Sequence, residues 1–449
     1  MVLVMMLGVM IALGSESGPE AVVDPGYNAG LTLLVTILVV ALAPVPGIVL
    51  SATVRPENLS DPYRRARTLR RVRVGTACYQ GYLLAAYAFV TWVLDWPVLI
   101  DGTLRLRGWV LVDEMMRLAP FVAMLVLSWA PLYRIDRQLR AGAWTLRKYM
   151  EFNLRQYVLF VLAPFAALVT VVDVLGHLPW AGTLERTGLD WAIAIATMGA
   201  LFVFSPHMIR HVWKTRRLEE GPLRARLSAL CAHARMTCRD ILVWDTLGGQ
   251  VVNACVMGVV ASARYVMVTD ALMESLSEEE IEGVFAHEIG HVRRHHMLYY
   301  GVFAAGFAAT VILTGWLAAH AGKAWTAHYG AVSAENALVT LAAGLYWGVG
   351  FGFVSRRMEQ EADVYAVELT GNTGSFVNAL ERISYYGGRP RTSGSWRHYS
   401  IAKRTEFLSV LETDPARRER FRRAMRMLRW GVVAFTAAAA AVAAVILMK

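Results

Sequence analysis

The chain has 449 residues, 56% of them hydrophobic, and a formal net charge of +10. A soluble domain rarely exceeds about half apolar residues, so this composition, with a mean hydropathy of +0.41, excludes an ordinary water-soluble globule. The four cysteines, Cys78, Cys231, Cys238 and Cys255, form no C-x-x-C pair and read as small buried residues.

The apolar excess comes in blocks near 30–50, 76–99, 109–132, 157–176, 191–212, 298–319, 336–354 and 431–448. Their lengths predict a mainly α, polytopic membrane protein with about eight spans. Residues 1–14 are apolar but short and lack a basic n-region or an A-x-A cleavage site. They fit a short extra span, an uncleaved anchor or a misassigned start. Asp113, Glu114 and Arg117 interrupt the third long block at a spacing that suits internal pairing. They stand either inside the bilayer, as candidate functional charges, or at its interface if the span starts later.

Basic residues alternate by loop. Arg64 to Arg73 follow the first long block, and Arg134, Arg137, Arg140, Arg147, Lys148 and Arg155 follow the third, whereas the loops near 100–108 and 177–190 carry few charges. The positive-inside rule then puts 213–296 and 355–430 in the cytoplasm. The arginines are assigned to topology and lipid headgroups, and no nucleic-acid partner is expected.

Organisation follows the same division. A multi-span region at 1–212 precedes a polar piece at 213–297, a two-span hairpin at 298–354, a second polar piece at 355–430 and a last span at 431–449. The first piece opens with a helix pattern (Leu223, Leu227, Leu230) and has strand-like runs at Ile241–Trp244 and Tyr265–Val268. Between them, Gly248 to Ala254 is a turn into another β-prone stretch. Ser277 with Glu280 reads as a capping box opening an amphipathic helix. The second piece reads as helices over Arg357–Leu369, Gly374–Tyr385 and Arg397–Leu411, the last starting after His398 if Ser400 serves as its N-cap.

Two turns into the Ser277 helix lies His287-Glu288-Ile289-Gly290-His291. Histidines four apart share a helix face and can bind one Zn²⁺, with the intervening glutamate in reach of a water. A third ligand is required. Arg294 and Met297 stand where the metzincin pattern needs Gly and His, which excludes that class. On a straight helix His295 lies about 12 Å along the axis from His287, so His295 and His296 read as headgroup-level residues or as supports behind the ligands. Further on, Glu359 and Asp363 are four apart, so one can ligate while the other orients a ligating histidine.

H-E-x-G-H, two spans, and then Ser355-Arg356-x-x-Glu359-x-x-Ala362-Asp363 resemble the M48 family of membrane zinc endopeptidases, which includes Ste24-, HtpX- and Oma1-type proteases. The resemblance covers about 215–410 and implies a cytoplasmic, gluzincin-type α+β peptidase domain assembled from two segments. It implies one Zn²⁺ per chain on His287, His291 and Glu359, with Glu288 as general base. Asp363 and Arg404 would support the ligands, His398 would line the site, and Asn253-Ala254 would hold substrate in an edge strand. Where the family often has proline after the histidine, this chain has Tyr399. The implied partner is a membrane-associated peptide or protein in a bacterial inner membrane. The implied task is membrane-protein quality control or CaaX-type processing. Two other readings are a site-2-protease-like intramembrane metalloprotease and an inactive scaffold of the same fold. The first needs a zinc helix that spans, yet only about a dozen residues separate Glu280 from Arg293. The second is disfavoured by the intact Glu288.

The loop charges make a direct prediction. A reporter fused after residue 220 should behave as cytoplasmic and one near 327 as external; the reverse result at both positions inverts the topology.

Overall fold

The structure, a computed structural model, describes residues 1–13, 27–55, 57, 61–139, 145–187, 189–246, 251–321, 339, 341–342, 344–386 and 390–447. The turn at Gly248-Gly249-Gln250, the expected external loop near 327 and part of the 336–354 block lie outside these residues. The chain divides into two compact units, Met1–Thr215 with Asp245–Gly249, and Arg216–Trp244 with Gln250–Lys449.

The first unit is helical throughout its described length. Ala29–Ala52, Val112–Leu139 and Leu146–Gly176 are long and apolar enough to cross a membrane, and Arg67–Trp92 with Trp96–Thr103 form a pair bent by 51°. The bend falls at Asp95, which takes a left-handed conformation (φ 50°) just ahead of Pro97. The block at 191–212 lies in a further helix, Leu189–Val212, with Pro206 inside it. Tyr87, Phe121, Met124, Leu125 and Trp129 make the buried centre of the unit. Arg117 pairs with Asp101 at 2.9 Å and with Asp113 at 3.6 Å, all three side chains buried, so one positive charge offsets part of the acidic charge of this cluster. Cys78 departs from expectation. It is exposed on Pro62–Trp92, and Cys238 and Cys255 are only half-buried, which leaves Cys231 as the one fully buried cysteine.

The second unit holds a four-stranded sheet, β1 (Thr215–Arg217), β2 (Asp240–Trp244), β3 (Ala254–Met257) and β4 (Tyr265–Thr269), in the order β1-β2-β4-β3. β4 runs parallel to β2 and antiparallel to β3. Its five residues are all buried, which is why β4 reads as a continuous apolar run and not as an alternation. Val243, Val266 and Val268 pack against Leu227, Leu272, Phe285 and Ile289 from the helices.

The motif helix, Glu278–Arg293, starts at a capping box in which Ser277 and Glu280 exchange hydrogen bonds. It stops at Arg293. His295 is left-handed (φ 57°), and a new helix, His296–Ala321, begins at once. The straight helix assumed for residues 287–295 is therefore broken, and His296 is turned back toward the motif. The carboxylate helix, Gly352–Thr370, crosses the motif helix, followed by Thr373–Tyr386, Ile401–Thr413 and the C-terminal helix Pro415–Leu447. The helix expected over Arg397–Leu411 starts at Ile401, with the Ser400 hydroxyl accepting from Lys403 N–H. His296–Leu317 and Pro415–Ile446 bring the helices apolar enough to cross a membrane to five among the described residues, or six with the bent pair.

Gly290 sets how closely the motif and carboxylate helices approach. A Cβ there would lie 3.1 Å from Ala362 Cα and 3.3 Å from both its carbonyl oxygen and Tyr365 Cβ. Gly290→Val should push the helices apart and lower the unfolding free energy by about 1–3 kcal/mol. Thermal unfolding in detergent measures this, and an unchanged midpoint refutes the tight crossing.

Candidate metal centre

Helical spacing brings His287 and His291 onto one face of the motif helix, and the Gly290 crossing brings Glu359 opposite them. The two Nε2 atoms are 3.2 Å apart; His287 Nε2 lies 3.5 Å from Glu359 Oε2, and His291 Nε2 3.6 Å from the other oxygen, Oε1. A tetrahedral zinc with bonds of about 2.0–2.1 Å sets neighbouring donors about 3.3–3.4 Å apart. The three side chains therefore fit such an ion, and among the described residues they form one of two groups of acidic and histidine donors close enough to hold a cation. The other is Asp113, Glu114 and Asp173 in the first unit.

Supports surround these donors. His287 Nδ1 lies 2.9 Å from Asp363 Oδ1, although off the ideal N–H direction. Asp363 is wholly buried and takes a two-pronged hydrogen bond from Arg404, at 2.8 and 2.5 Å. Burial opposes the Asp363 charge, but the Arg404 guanidinium outweighs it and holds the carboxyl below its ordinary range. Burial likewise opposes the charge on Glu359, yet hydrogen bonds from His287 and His398 hold it far below. Burial opposes a proton on His287 as well, and the two carboxylates override it and push the ring up to about 10. His291 is driven well down, by burial and by the neighbouring His287. Without a cation, then, a proton is drawn to the place where the donors converge. Phe376 stacks on the His287 ring, with centroids 6.0 Å apart.

Glu288 projects beside the histidine face. Its Oε2 accepts from the Val256 N–H of β3 at 3.3 Å. Burial pushes its carboxyl up to about 7, against the pull of the His287 charge. β3 ends the sheet among the described residues. Asn253 accepts from Thr269 N–H (3.0 Å) and donates to Thr269 Oγ1 (3.2 Å), so its backbone faces β4. By antiparallel alternation, Ala254 and Val256 turn their backbone groups to the open edge, the edge at which Glu288 sits. The Ala254 side chain is buried in the core and Asn253 is exposed.

His398 stays in the loop before Ile401–Thr413, and its Nδ1 lies 3.0 Å from Glu359 Oε2; the ring is 45% exposed. The structure thus gathers His287, Glu288, His291, Glu359, Asp363, His398 and Arg404 around one centre, with Asn253-Ala254 on the adjoining strand. Glu361 and Arg429 were not singled out in the sequence. Glu361 is two residues from Glu359, about 200° around the helix, and faces another partner, His296 Nε2, at 3.1 Å. Three acids within five residues was the available signal.

The model of peptidase family M48 matches residues 217–428. A protease HtpX homologue from Syntrophotalea carbinolica is 27% identical over 280 residues, covering 58% of this chain and 96% of that one. Another, from Campylobacter concisus, is 33% identical over 139 residues, 30% of this chain and 48% of that one. The crystal structure of S. mikatae Ste24p overlays with a TM-score of 0.57 at 16% identity, over 84% of this chain and 97% of that one; this is a likeness of fold. Helices of membrane-crossing character and a His-His-Glu donor set define a multi-pass membrane metallopeptidase. It is residues 217–428, just under half of the chain, that match peptidase family M48.

Arg404→Ala should leave the buried Asp363 charge without its main counter-charge. Breaking a buried pair from one side costs about 3–5 kcal/mol, so the unfolding midpoint should fall sharply, with Arg404→Lys intermediate. Equal stability of Arg404→Ala and the wild type would mean that Asp363 is not carried as an anion.

Proposed function

We propose that the chain is an integral-membrane zinc endopeptidase that binds one Zn²⁺ through His287, His291 and Glu359. The observation that carries the reading is the convergence of two Nε2 atoms, 3.2 Å apart, on the two carboxylate oxygens of Glu359, at 3.5 and 3.6 Å. Zinc held there would acidify a bound water and polarise a peptide carbonyl. Glu288 takes the proton and later hands it to the leaving amine. The open edge of β3 accepts the substrate as an added strand, Ala254 supplying backbone hydrogen bonds that ignore side-chain identity. Asn253 guides the strand in. His398 donates to the developing oxyanion. Asp363 and Arg404 keep His287 oriented.

Substrates are membrane-associated peptides or proteins, in quality control or CaaX-type processing, with the zinc site on the cytoplasmic side of a bacterial inner membrane. The alternation of Arg-rich loops supports that sidedness.

Metal analysis and peptide cleavage by the purified chain test the assignment. About one zinc per chain is expected, retained in Glu288→Gln and largely lost in His287→Ala. Glu288→Gln should lose activity by orders of magnitude while still binding peptide, and His398→Ala should lower kcat by about 10²–10³ with zinc unchanged. Equal zinc in wild type and His287→Ala would refute the ligand set. Zinc-loaded wild type without turnover would favour an inactive scaffold. Peptides that accumulate in a Glu288→Gln strain relative to wild type would identify the substrates.

A further inference from the structure

We infer that the C-terminal helix Pro415–Leu447 is a working part of the metal centre, because its Arg429, through Glu361 and His296, fixes the tautomer and orientation of His291. This rests on the proposed ligand set. His291 turns Nε2 toward His287 and Glu359. To bind a cation, that nitrogen must carry the lone pair, so the proton belongs on Nδ1. Nδ1 lies 2.8 Å from Nδ1 of His296. Two N–H groups cannot face each other at that distance, so His296 Nδ1 is the acceptor and its proton sits on Nε2. That nitrogen lies 3.1 Å from Glu361 Oε2, and a carboxylate only accepts. The carboxylate therefore dictates which nitrogen of His296 is bare, and His296 dictates which nitrogen of His291 is bare. His296 has no exposed surface, so water does not compete for these contacts.

Glu361 is anchored in turn. Arg429 pairs with both of its oxygens and lies over the Tyr299 ring at 5.6 Å. Arg422, seven residues earlier, pairs with Glu368, seven residues after Glu361, at 2.6 Å. Seven residues are two turns on each helix, so two ion pairs fix the antiparallel register of the C-terminal and carboxylate helices. The same C-terminal helix is joined to the helix that carries His296. Thr436 Oγ1 donates to Val302 O at 3.1 Å, and Ala439 and Ala443 pack on Ala309. One residue of slippage, about 1.5 Å, would break the relay at Glu361. The two histidine ligands thus have separate supports: Asp363 with Arg404 behind His287, and His296, Glu361 and Arg429 behind His291.

The test uses the full chain in detergent, with Co²⁺ as a spectroscopic probe and a chelator as competitor. His296→Ala and Arg429→Gln should weaken Co²⁺ binding about 10–100-fold and change the visible absorption band. His296→Asn, whose carbonyl can take the place of Nδ1, should recover most of the affinity. Arg422→Ala, which loosens the register but leaves the Arg429–Glu361 pair in place, should lower the unfolding midpoint and weaken Co²⁺ binding less than Arg429→Gln does. Wild-type affinity and spectrum in either His296→Ala or Arg429→Gln overturn the inference. Should His296→Ala fail to fold, Arg429→Gln, at the outer end of the relay, decides. His287→Ala separates the two levels. Loss of Co²⁺ there with no effect of Arg429→Gln sinks the relay alone; wild-type binding in His287→Ala sinks the ligand set and the relay with it.

Discussion

Electron-rich groups do not converge unaided. Two imidazole lone pairs and a carboxylate that meet within 3.6 Å repel one another until a cation joins them. Most of the second unit can be understood as the apparatus that bears this repulsion. The sheet gives the motif helix a rigid floor through Phe285 and Ile289. Gly290 removes the side chain that would keep Glu359 at a distance. Two arginines, Arg404 and Arg429, stand one residue layer back and neutralise the outer carboxylates Asp363 and Glu361. The inner donors are then left to face each other in a site that gains from a positive ion.

The same layout explains the placing of Glu288, the proposed general base. Glu288 is next to the ligands in sequence but 100° around the helix, so it cannot join them. It points at the exposed backbone of β3 instead. An incoming backbone and the group that would cleave it therefore meet on one edge, aligned by hydrogen bonds that read no sequence. Selectivity has to come from access and from where the edge is held.

Much of this was legible in the residues, and the limits are physical. His287, Glu288 and His291 declared themselves because helical spacing converts directly into a shared face. The capping box and the Ser400 cap were readable for the same reason: they are local hydrogen-bond patterns. The pairing of Asp363 with Arg404 followed once the helix was seen to start after His398. The Glu361–Arg429 pair was not legible, since 68 residues separate its members and nothing local joins them. The helix break at His295 was hidden too. Histidine tolerates a left-handed conformation better than most residues but does not demand it, and no glycine or proline marks the spot. Span counting was limited by burial. Hydropathy records apolar length, and the Val112–Leu139 helix, half of whose apolar window is buried inside the protein, reads the same as Ala29–Ala52, which is mostly exposed.

The break at His295 carries a consequence for how the protein meets its substrates. Only four residues separate His291 from the first residue of the membrane-crossing helix His296–Leu317. On the proposed function, the metal site is thereby tethered close in sequence to a span, and it would meet chains that diffuse in the plane of the lipid. Encounter is then governed by copies per unit area and not by molarity. In micelles, a Michaelis constant would scale with the mole fraction of substrate in the detergent, so dilution with detergent would slow the reaction at constant bulk concentration. On that reading the working concentration scale is two-dimensional.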